Sequence, residues 1–234
     1  MKILAFDTAL NACSVTIADR TNILAHVHEK RRRGHAETLL PMIEAEMKKA
    51  GLAYKDLDLI AVTVGPGTFT GLRIGLAAAR GIAIAARKPI IGLTTLETLT
   101  AAVPVALTEG RPVIAAVDAR RGEVYVQAFK RLDQGEIILP LTTPTAIRTE
   151  LVLVSLDIET AVVVGSGARL LESMPDFDAE KYKILDFLDD PDAVNLVHLA
   201  AVRGLPAAGA PSPAPLYLRA PDAKLPGGKD PLAG

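Results

Sequence analysis

One cysteine in 234 residues, Cys13, excludes an internal disulfide. Charge of one sign is missing as well: 26 basic residues stand against 27 acidic ones, which leaves no overall field to hold nucleic acid. Lys30-Arg31-Arg32-Arg33 is a local basic run that reads as a solvated loop or, if RNA is touched, as an auxiliary patch. Apolar runs are short. Ile74 to Ala86 is interrupted by Arg80 and falls below bilayer length, so a membrane protein is not expected. The start MKILAFDTA enters a strand pattern directly, with no signal-peptide apolar core or cleavage site, and predicts a cytoplasmic chain. What is present is apolar bulk: 50% hydrophobic residues support a sizeable core in one large or two small domains.

The most informative stretch is Gly65-Pro66-Gly67-Thr68-Phe69-Thr70-Gly71, which joins the apolar strand Leu57 to Val64 to a helix expected over Gly71 to Arg87. The only charges of that helix, Arg73, Arg80 and Arg87, recur every seven residues and fall near one stripe. The rest of its circumference asks for burial. Gly75, Ala77, Ala78, Ala79 and Gly81 carry so little bulk that another helix can approach closely, from this fold or across a subunit boundary. The loop reads as a strand-to-helix turn or as a phosphate cradle at a helix N-terminus. It lacks the Gly-Lys-Ser/Thr ending of a P-loop, which favours the plain turn.

Periodicity gives strands near Lys2 to Asp7, Cys13 to Asp19 and Ile23 to His28, a helix over Thr38 to Ala50 with Thr38 as N-cap ahead of Pro41, then the strand and helix above. Leu39, Ile43, Met47 and Ala50 share a face of the first helix. After a strand Pro89 to Leu93 and a helix Leu96 to Ala102 the order recurs: strands near Pro112 to Asp118, Glu123 to Lys130 and Glu136 to Leu139, a helix near Thr143 to Leu151, a strand Thr160 to Val164 and a helix from Ala168. Asp7 and Asp118 end the first strand of each half, and Gly65-Pro66-Gly67 answers Gly165-Ser166-Gly167. The expected fold is α/β, a duplicated unit making two lobes, each a mixed five-stranded sheet flanked by helices. Residues 1–104 form the first lobe, 105–190 a second, smaller lobe, and 191–234 a last helix and tail returning to the first. The end of that tail, Leu216 to Gly234, is too polar and Gly/Pro-rich to fold independently.

A duplicated lobe with an aspartate after its first strand resembles the actin-like ATPase (ribonuclease H-like) superfamily. Within it, MKILAFDTA, SVTIA, GHAETLLPMIEAEM, VGPGTFTGLRIGLAAARGIA, VDARRGEVY, GSGA and PLYLRAPDAK resemble, in order over essentially the whole chain, the TsaB (YeaZ) family. That resemblance implies a non-catalytic cytoplasmic subunit that forms a heterodimer with TsaD, with TsaE in the wider complex. TsaD adds a threonylcarbamoyl group to the adenosine beside the anticodon of tRNAs reading codons that begin with A. It implies tRNA contact only through TsaD, a homodimer as one state of the isolated chain, and no membrane partner.

The superfamily binds nucleotide with glycines in the first hairpin and after the second aspartate; here Asp7-Thr8-Ala9 has none and Asp118-Ala119 is followed by Arg120 and Arg121. Degenerate nucleotide candidates are therefore Asp7, Thr8, Asp118, Gly165 and Gly167, with no intrinsic cofactor and ATP or ADP expected, if at all, on the Gly165 side or at the boundary with TsaD. The aspartates read as strand-end caps more than as Mg²⁺ ligands. TsaD-like proteins carry an H-x-x-x-H metal pair on a helix, and the four histidines here, His26, His28, His35 and His198, include no such pair. His26 and His28 share a strand face, which could hold a metal or simply expose two polar side chains. No nucleophile elbow and no H-E-x-x-H supports a peptidase. Competing classes are an independent ATPase and, behind it, a peptidase. The interface with TsaD is expected on Leu39, Ile43, Met47, Arg73, Ile74, Ala78, Ala79 and Ile82, pairing two helices with two of the partner's.

Overall fold

The computed structural model describes residues 1–132 and 137–219. The expected tail beyond residue 219 and the start of the strand at Glu136 lie outside the described residues. The first sheet opens with an antiparallel meander, β1 (Lys2–Asp7), β2 (Ala12–Asp19) and β3 (Asn22–Lys30), followed by helix α1 (His35–Lys49). Strand β4 (Leu59–Gly65) then pairs parallel to β1, α2 (Phe69–Ala86) crosses over, and β5 (Ile90–Thr94) pairs parallel to β4, giving the order β3-β2-β1-β4-β5.

Both faces of this sheet are covered, which is why β1 and β4 carry unbroken apolar runs, Ile3 to Phe6 and Leu59 to Val62, rather than alternating. Leu4, Phe6, Ile60 and Val62 point to α1 and α2, where they meet Leu39, Ile43, Met47, Leu76 and Ala79. Ile3, Ala5, Leu59 and Ala61 point the opposite way, as the period of two demands, onto helix residues Leu196, Val197 and Ala200 from the end of the chain.

Two short helices, α3 (Thr95–Ala101) and α4 (Val105–Thr108), lead to the second sheet. Its strands β6 (Val113–Arg120), β7 (Glu123–Leu132) and β8 (Ile137–Pro140) form a second meander, and β9 (Thr145–Arg148) also pairs with β7. Helix α5 (Val152–Leu156), β10 (Ala161–Val164), α6 (Ala168–Glu172) and β11 (Tyr182–Leu185) follow; β10 joins β6 in parallel and β11 joins β10. The order β11-β10-β6-β7-β8 repeats that of the first sheet, so the duplicated two-lobe α/β fold expected from the sequence is present. Helix α7 (Ala193–Arg203) closes the chain's helical part on the first sheet, against β1, β2 and β4. Ala9, Leu10 and Leu72 from one sheet share a cluster with Leu96, Leu99, Val117 and Val164 around the other, so the lobes meet through a common apolar layer.

Several boundaries differ from those expected. Helix α1 starts at His35 after Gly34 in the left-handed region (φ 82), a turn before Thr38, which sits inside the helix and caps nothing. The helix expected over Thr143 to Leu151 is instead strand β9 and a single 3₁₀ turn at Thr149–Leu151. Thr145 and Ile147 are β-branched, Pro144 bars a helical start before them, and pairing with Glu123 to Val126 satisfies their backbone. The second sheet consequently has six strands rather than five. Helix α2 is longer than the apolar run read from the sequence: at 18 residues it is long and apolar enough to cross a membrane by length and composition. Its inner stripe, Leu72, Leu76, Ala79 and Ala83, is nevertheless buried within this fold, the pattern of a core helix.

Candidate functional site

Two places concentrate the residues that the sequence singles out: the junction between the lobes, where the superfamily holds nucleotide, and the outer face of α1 and α2.

At the junction the turn after β1 is closed by the chain itself. Thr68 caps α2 by accepting from the Gly71 amide at 3.2 Å, and the Thr68 amide donates to the Ala9 carbonyl at 2.8 Å. Thr8 Oγ1 donates to the Gly71 carbonyl at 2.8 Å. Gly67, Gly71 and Gly75, four residues apart, lie where a Cβ would stand 2.6 Å from the Ala9 carbonyl, 2.0 Å from the Thr8 carbonyl and 2.7 Å from Thr8 Oγ1. The start of α2 thus presses into the Thr8–Ala9 turn. These glycines permit an approach to the chain's own backbone, and the space a phosphate would need above that turn is filled.

Asp7 is buried beneath this contact. Thr63 Oγ1 donates to its Oδ1 at 2.5 Å and the Ala9 amide at 3.2 Å, while Oδ2 has no hydrogen-bond partner among the described residues. Burial pushes its carboxyl up to about 7, against the pull of those two donors and with help from the charges of Asp190 and Asp192. A carboxyl half protonated near neutrality and tied to its own turn serves as a cap.

Asp118 lies apart from it, half-buried on a cavity of about 370 Å³ that Gly67, Thr68, Arg120, Tyr125 and Ser166 also line. Its Oδ1 accepts from the Arg120 amide at 2.7 Å, its Oδ2 pairs with Arg120 Nη1 at 3.1 Å, and its own amide donates to Ser166 Oγ at 3.2 Å. Gly165 and Gly167 have a structural reason of their own: a Cβ at Gly165 (φ 97) would stand 2.2 Å from the Ala116 carbonyl, and one at Gly167 3.0 Å from the Ala116 carbonyl carbon. Of the five nucleotide candidates, only Asp118 faces the cavity. Asp7, Thr8, Gly165 and Gly167 are consumed in packing each strand-to-helix turn against the first strand of its own lobe.

His26 and His28 do share a face of β3, and both point at one carboxylate: Asp192 Oδ2 lies 3.5 Å from His26 Nε2 and 3.6 Å from His28 Nδ1. Asp192 also caps α7 through the Val194 amide at 2.9 Å, so the pair fastens that helix to β3.

The outer face of α1 and α2 forms an apolar groove of about 870 Å³. Ala36 and Leu40 make one wall, Tyr54 of the intervening 3₁₀ turn an end, and Ile74, Ala78 and Ile82 of α2 the other wall, with Leu39 as floor. Nothing lies within 4 Å of a Cβ added at Gly81, so the groove stays open above α2, and Leu40 and Ile84 are exposed.

Of the eight interface candidates, Ile74, Ala78 and Ile82 stand in the groove wall. Leu39 is the buried floor of the groove, and Ile43, Met47 and Ala79 lie in the core, because they form the inner stripes that cover β1 and β4. Arg73 is engaged elsewhere: its guanidinium lies 3.6 Å over the Phe69 ring and its Nε donates to Tyr217 Oη at 3.3 Å. The arginine stripe of α2 faces the C-terminal segment, since Arg80 Nη2 also donates to the Pro213 carbonyl at 2.7 Å. The Leu216 amide joins the end of β4 through the Val64 carbonyl at 2.7 Å, and Tyr217 stacks on Phe69 at 5.5 Å.

Sequence reasoning missed Leu40, Tyr54, Phe69 and Tyr217. Leu40 carried a signal, being apolar yet off the Leu39–Ile43–Met47 stripe; Tyr217 carried none, because only the fold brings it to α2.

Comparison with known proteins matches residues 22–160 to the family TsaD: tRNA N6-adenosine threonylcarbamoyltransferase. The chain is 40% identical over 135 residues to the tRNA threonylcarbamoyladenosine biosynthesis protein TsaB of Escherichia coli (strain K12), covering 58% of this chain and 58% of that protein. It is 37% identical over 140 residues to the protein of the same name from Haemophilus influenzae, again covering 58% of each. The alignments thus span little more than half the length of these curated relatives. Among solved structures, YeaZ from Pseudomonas aeruginosa superposes with a TM-score of 0.78 at 32% identity, covering 93% of this chain and 99% of that one. A second structure, described as an uncharacterized protein with similarity to peptidase YEAZ from the same organism, gives 0.78 at 33% identity with the same coverage.

Proposed function

Because this chain belongs to the TsaB (YeaZ) family, we propose that it serves in tRNA threonylcarbamoyladenosine biosynthesis as a non-catalytic subunit that docks on TsaD. The observation that carries this reading is the open apolar groove between α1 and α2, built on a lobe whose own nucleotide turn is closed. A groove walled by two near-neighbour helices is completed by two helices of a partner, giving a four-helix packing, and exposed apolar surface of this extent marks an interaction site.

The chemistry then belongs to TsaD, with TsaE joining the wider complex and ATP or ADP held at the boundary with TsaD. Without TsaD, two copies pair through the same groove across a two-fold axis. The apolar length of α2 serves this docking and core packing, with no membrane partner, and the working compartment is the cytoplasm. An independent ATPase is disfavoured by the fit of Gly71 against Thr8, and a peptidase because the junction hydroxyls serve the backbone: Ser166 Oγ accepts from the Asp118 amide, Thr68 Oγ1 from the Gly71 amide, and Thr8 Oγ1 donates to the Gly71 carbonyl.

The test is co-purification with TsaD followed by a tRNA-modification assay. Modified tRNA is expected only when both chains are present, and Ala78→Glu, in the groove wall, is expected to abolish both co-elution and modification while leaving the circular dichroism unchanged. Full modification by TsaD with the Ala78→Glu chain would refute the docking site. ATP turnover by the isolated chain would refute the non-catalytic assignment.

A further inference from the structure

A further cavity, of about 760 Å³, opens between the lobes at the end away from Asp7 and Asp118. Met1, just ahead of β1, and Arg20 and Thr21 in the β2–β3 turn line it from the first lobe, whereas Asp7 closes the other end of β1. Arg131, near the end of β7, and Ile138 of β8 line it from the second lobe, whereas Asp118 sits by the turn where β7 begins. It shares no lining residue with the α1/α2 groove. Its volume falls within the roughly 300–1,000 Å³ of small-molecule sites.

The sequence accounts for its walls. Helix α7 places Leu196, Val197 and Ala200 on the first sheet and carries a second stripe, Asn195, His198, Leu199 and Val202, whose spacings of three and four keep one face along the cleft. The segment from Ala101 to Val105 makes another wall. It is pinned by Arg131, whose Nη1 donates to the carbonyls of Val103 and Thr100, so the fold itself sets this side of the cleft. Val202 is 56% exposed and Val105 39%, apolar surface that this chain leaves in water.

The polar side chains of the cleft are without partners. The Arg20 guanidinium, the Thr21 hydroxyl, the Asn195 amide group and the His198 ring make no hydrogen bond or ion pair among the described residues. Asp19, next to Arg20, feels its charge but is bonded to the Met1 amine at 2.9 Å. No carboxylate stands among the described lining residues. A guanidinium fork matches the two oxygens of a carboxylate, and neighbouring amide and imidazole groups add donors to the same anion. The valines, Pro104 and Leu199 suit an apolar body rather than a sugar.

We propose that this cleft binds a small amphipathic carboxylate, with Arg20, Asn195 and His198 holding the carboxylate and Val105, Leu199 and Val202 covering the apolar body. The site draws on both lobes and lies apart from the groove, so it stands independently of docking on TsaD.

The experiment is isothermal titration calorimetry of the full chain with decanoate, alongside octanoate, hexanoate and decyltrimethylammonium. Decanoate is expected to bind with a dissociation constant on the order of 10⁻⁴ to 10⁻³ M, which about twelve heavy atoms support. Shortening the acid by two methylenes should weaken binding about tenfold, and the cation should not bind. Arg20→Asn, which suits the φ of 53 at that position, should weaken decanoate at least tenfold. Val202→Asp, at an exposed helix position, should do the same and reads the proposal if Arg20→Asn disturbs its turn. Val154→Asp, on α5 and 76% exposed outside the cleft, should bind as wild type does.

No binding by wild type overturns the proposal. So does equal affinity for decanoate and decyltrimethylammonium, or wild-type affinity in both cleft variants. A loss that Val154→Asp shares would show uptake on apolar surface at large and overturns it as well.

Discussion

The two lobes share a strand order and differ in what they put on it. After its meander the first lobe lays down α1 and α2, 15 and 18 residues long, and the second lays down α5 and α6, of five residues each. Both turns into the second helix are glycine-rich and both press on the lobe's own first strand, at Thr8–Ala9 in one and Ala116 in the other. Both strand-to-helix turns are therefore closed, although Asp118 faces the cavity at the junction where Asp7 is buried, and a second asymmetry lies on the outside. Five residues make little more than one turn and cannot form a groove wall. Of two equivalent scaffolds, the first carries the open apolar groove.

That comparison breaks most sharply at the turn glycines. Gly71→Val and Gly165→Ala each put a Cβ within 2.2 Å or less of a backbone carbonyl, so each should destabilise by at least about 3–5 kcal/mol, enough to lose the cooperative urea transition. If either variant unfolds at the wild-type midpoint, the turns are not closed as described.

The buried cap of the first lobe has a pH signature. The folded-state value of Asp7, raised to about 7 from an ordinary 3.8, means that the folded chain holds a proton that the unfolded chain releases first. Its effect on stability is absent below 3.8, grows as pH rises towards 7, and amounts to a loss of the order of a few kcal/mol above that. Asp7→Asn should flatten stability measured by urea titration between pH 4 and pH 8. A wild-type curve that rises over that interval, with the variant parallel to it, would contradict the assignment.

On the outer face the contrast is between neighbours. Ala78→Glu should leave the fold intact and lower affinity for TsaD more than tenfold, whereas Ala79→Glu places a carboxylate in the core and should unfold the lobe. Both variants folding alike would show that α2 is rotated from the orientation given. The smallest effect is expected at Gly81→Ala, where nothing lies within 4 Å: the helix should gain about 0.5–1 kcal/mol, read as a small rise in Tm.

Much of this architecture was legible before any coordinates. The continuous apolar runs of β1 and β4 announce strands covered on both faces, and Asp7 with Asp118 and the paired glycine turns announce the duplication. The misreadings share a cause, which is that the deciding contact is distant in sequence. Residues 143–151 turn into β9 because Glu123 to Val126 offer an unpaired strand edge, something no local propensity records. The Gly65–Gly71 loop reads correctly as a plain strand-to-helix turn, but Gly75 looks like room for another helix, and the packing of Gly67, Gly71 and Gly75 on Thr8 and Ala9 emerges only when β1 and α2 are side by side. Leu39, Ile43 and Met47 form a helix stripe whose period is plain, but period alone says that a face is buried and not whether the chain or a partner buries it.

The C-terminal segment bears on motion. From Pro213 and Leu216 on the first lobe it runs to Arg219, which donates to the Ala119 carbonyl at 3.2 Å and pairs with Glu123 on the second. The last described residues are thus stitched across the junction between the lobes. Opening would have to tear Arg219 from the β6–β7 turn and drag Leu216 from the end of β4. The segment therefore acts as a strap, held on one lobe by a backbone hydrogen bond and on the other by an ion pair.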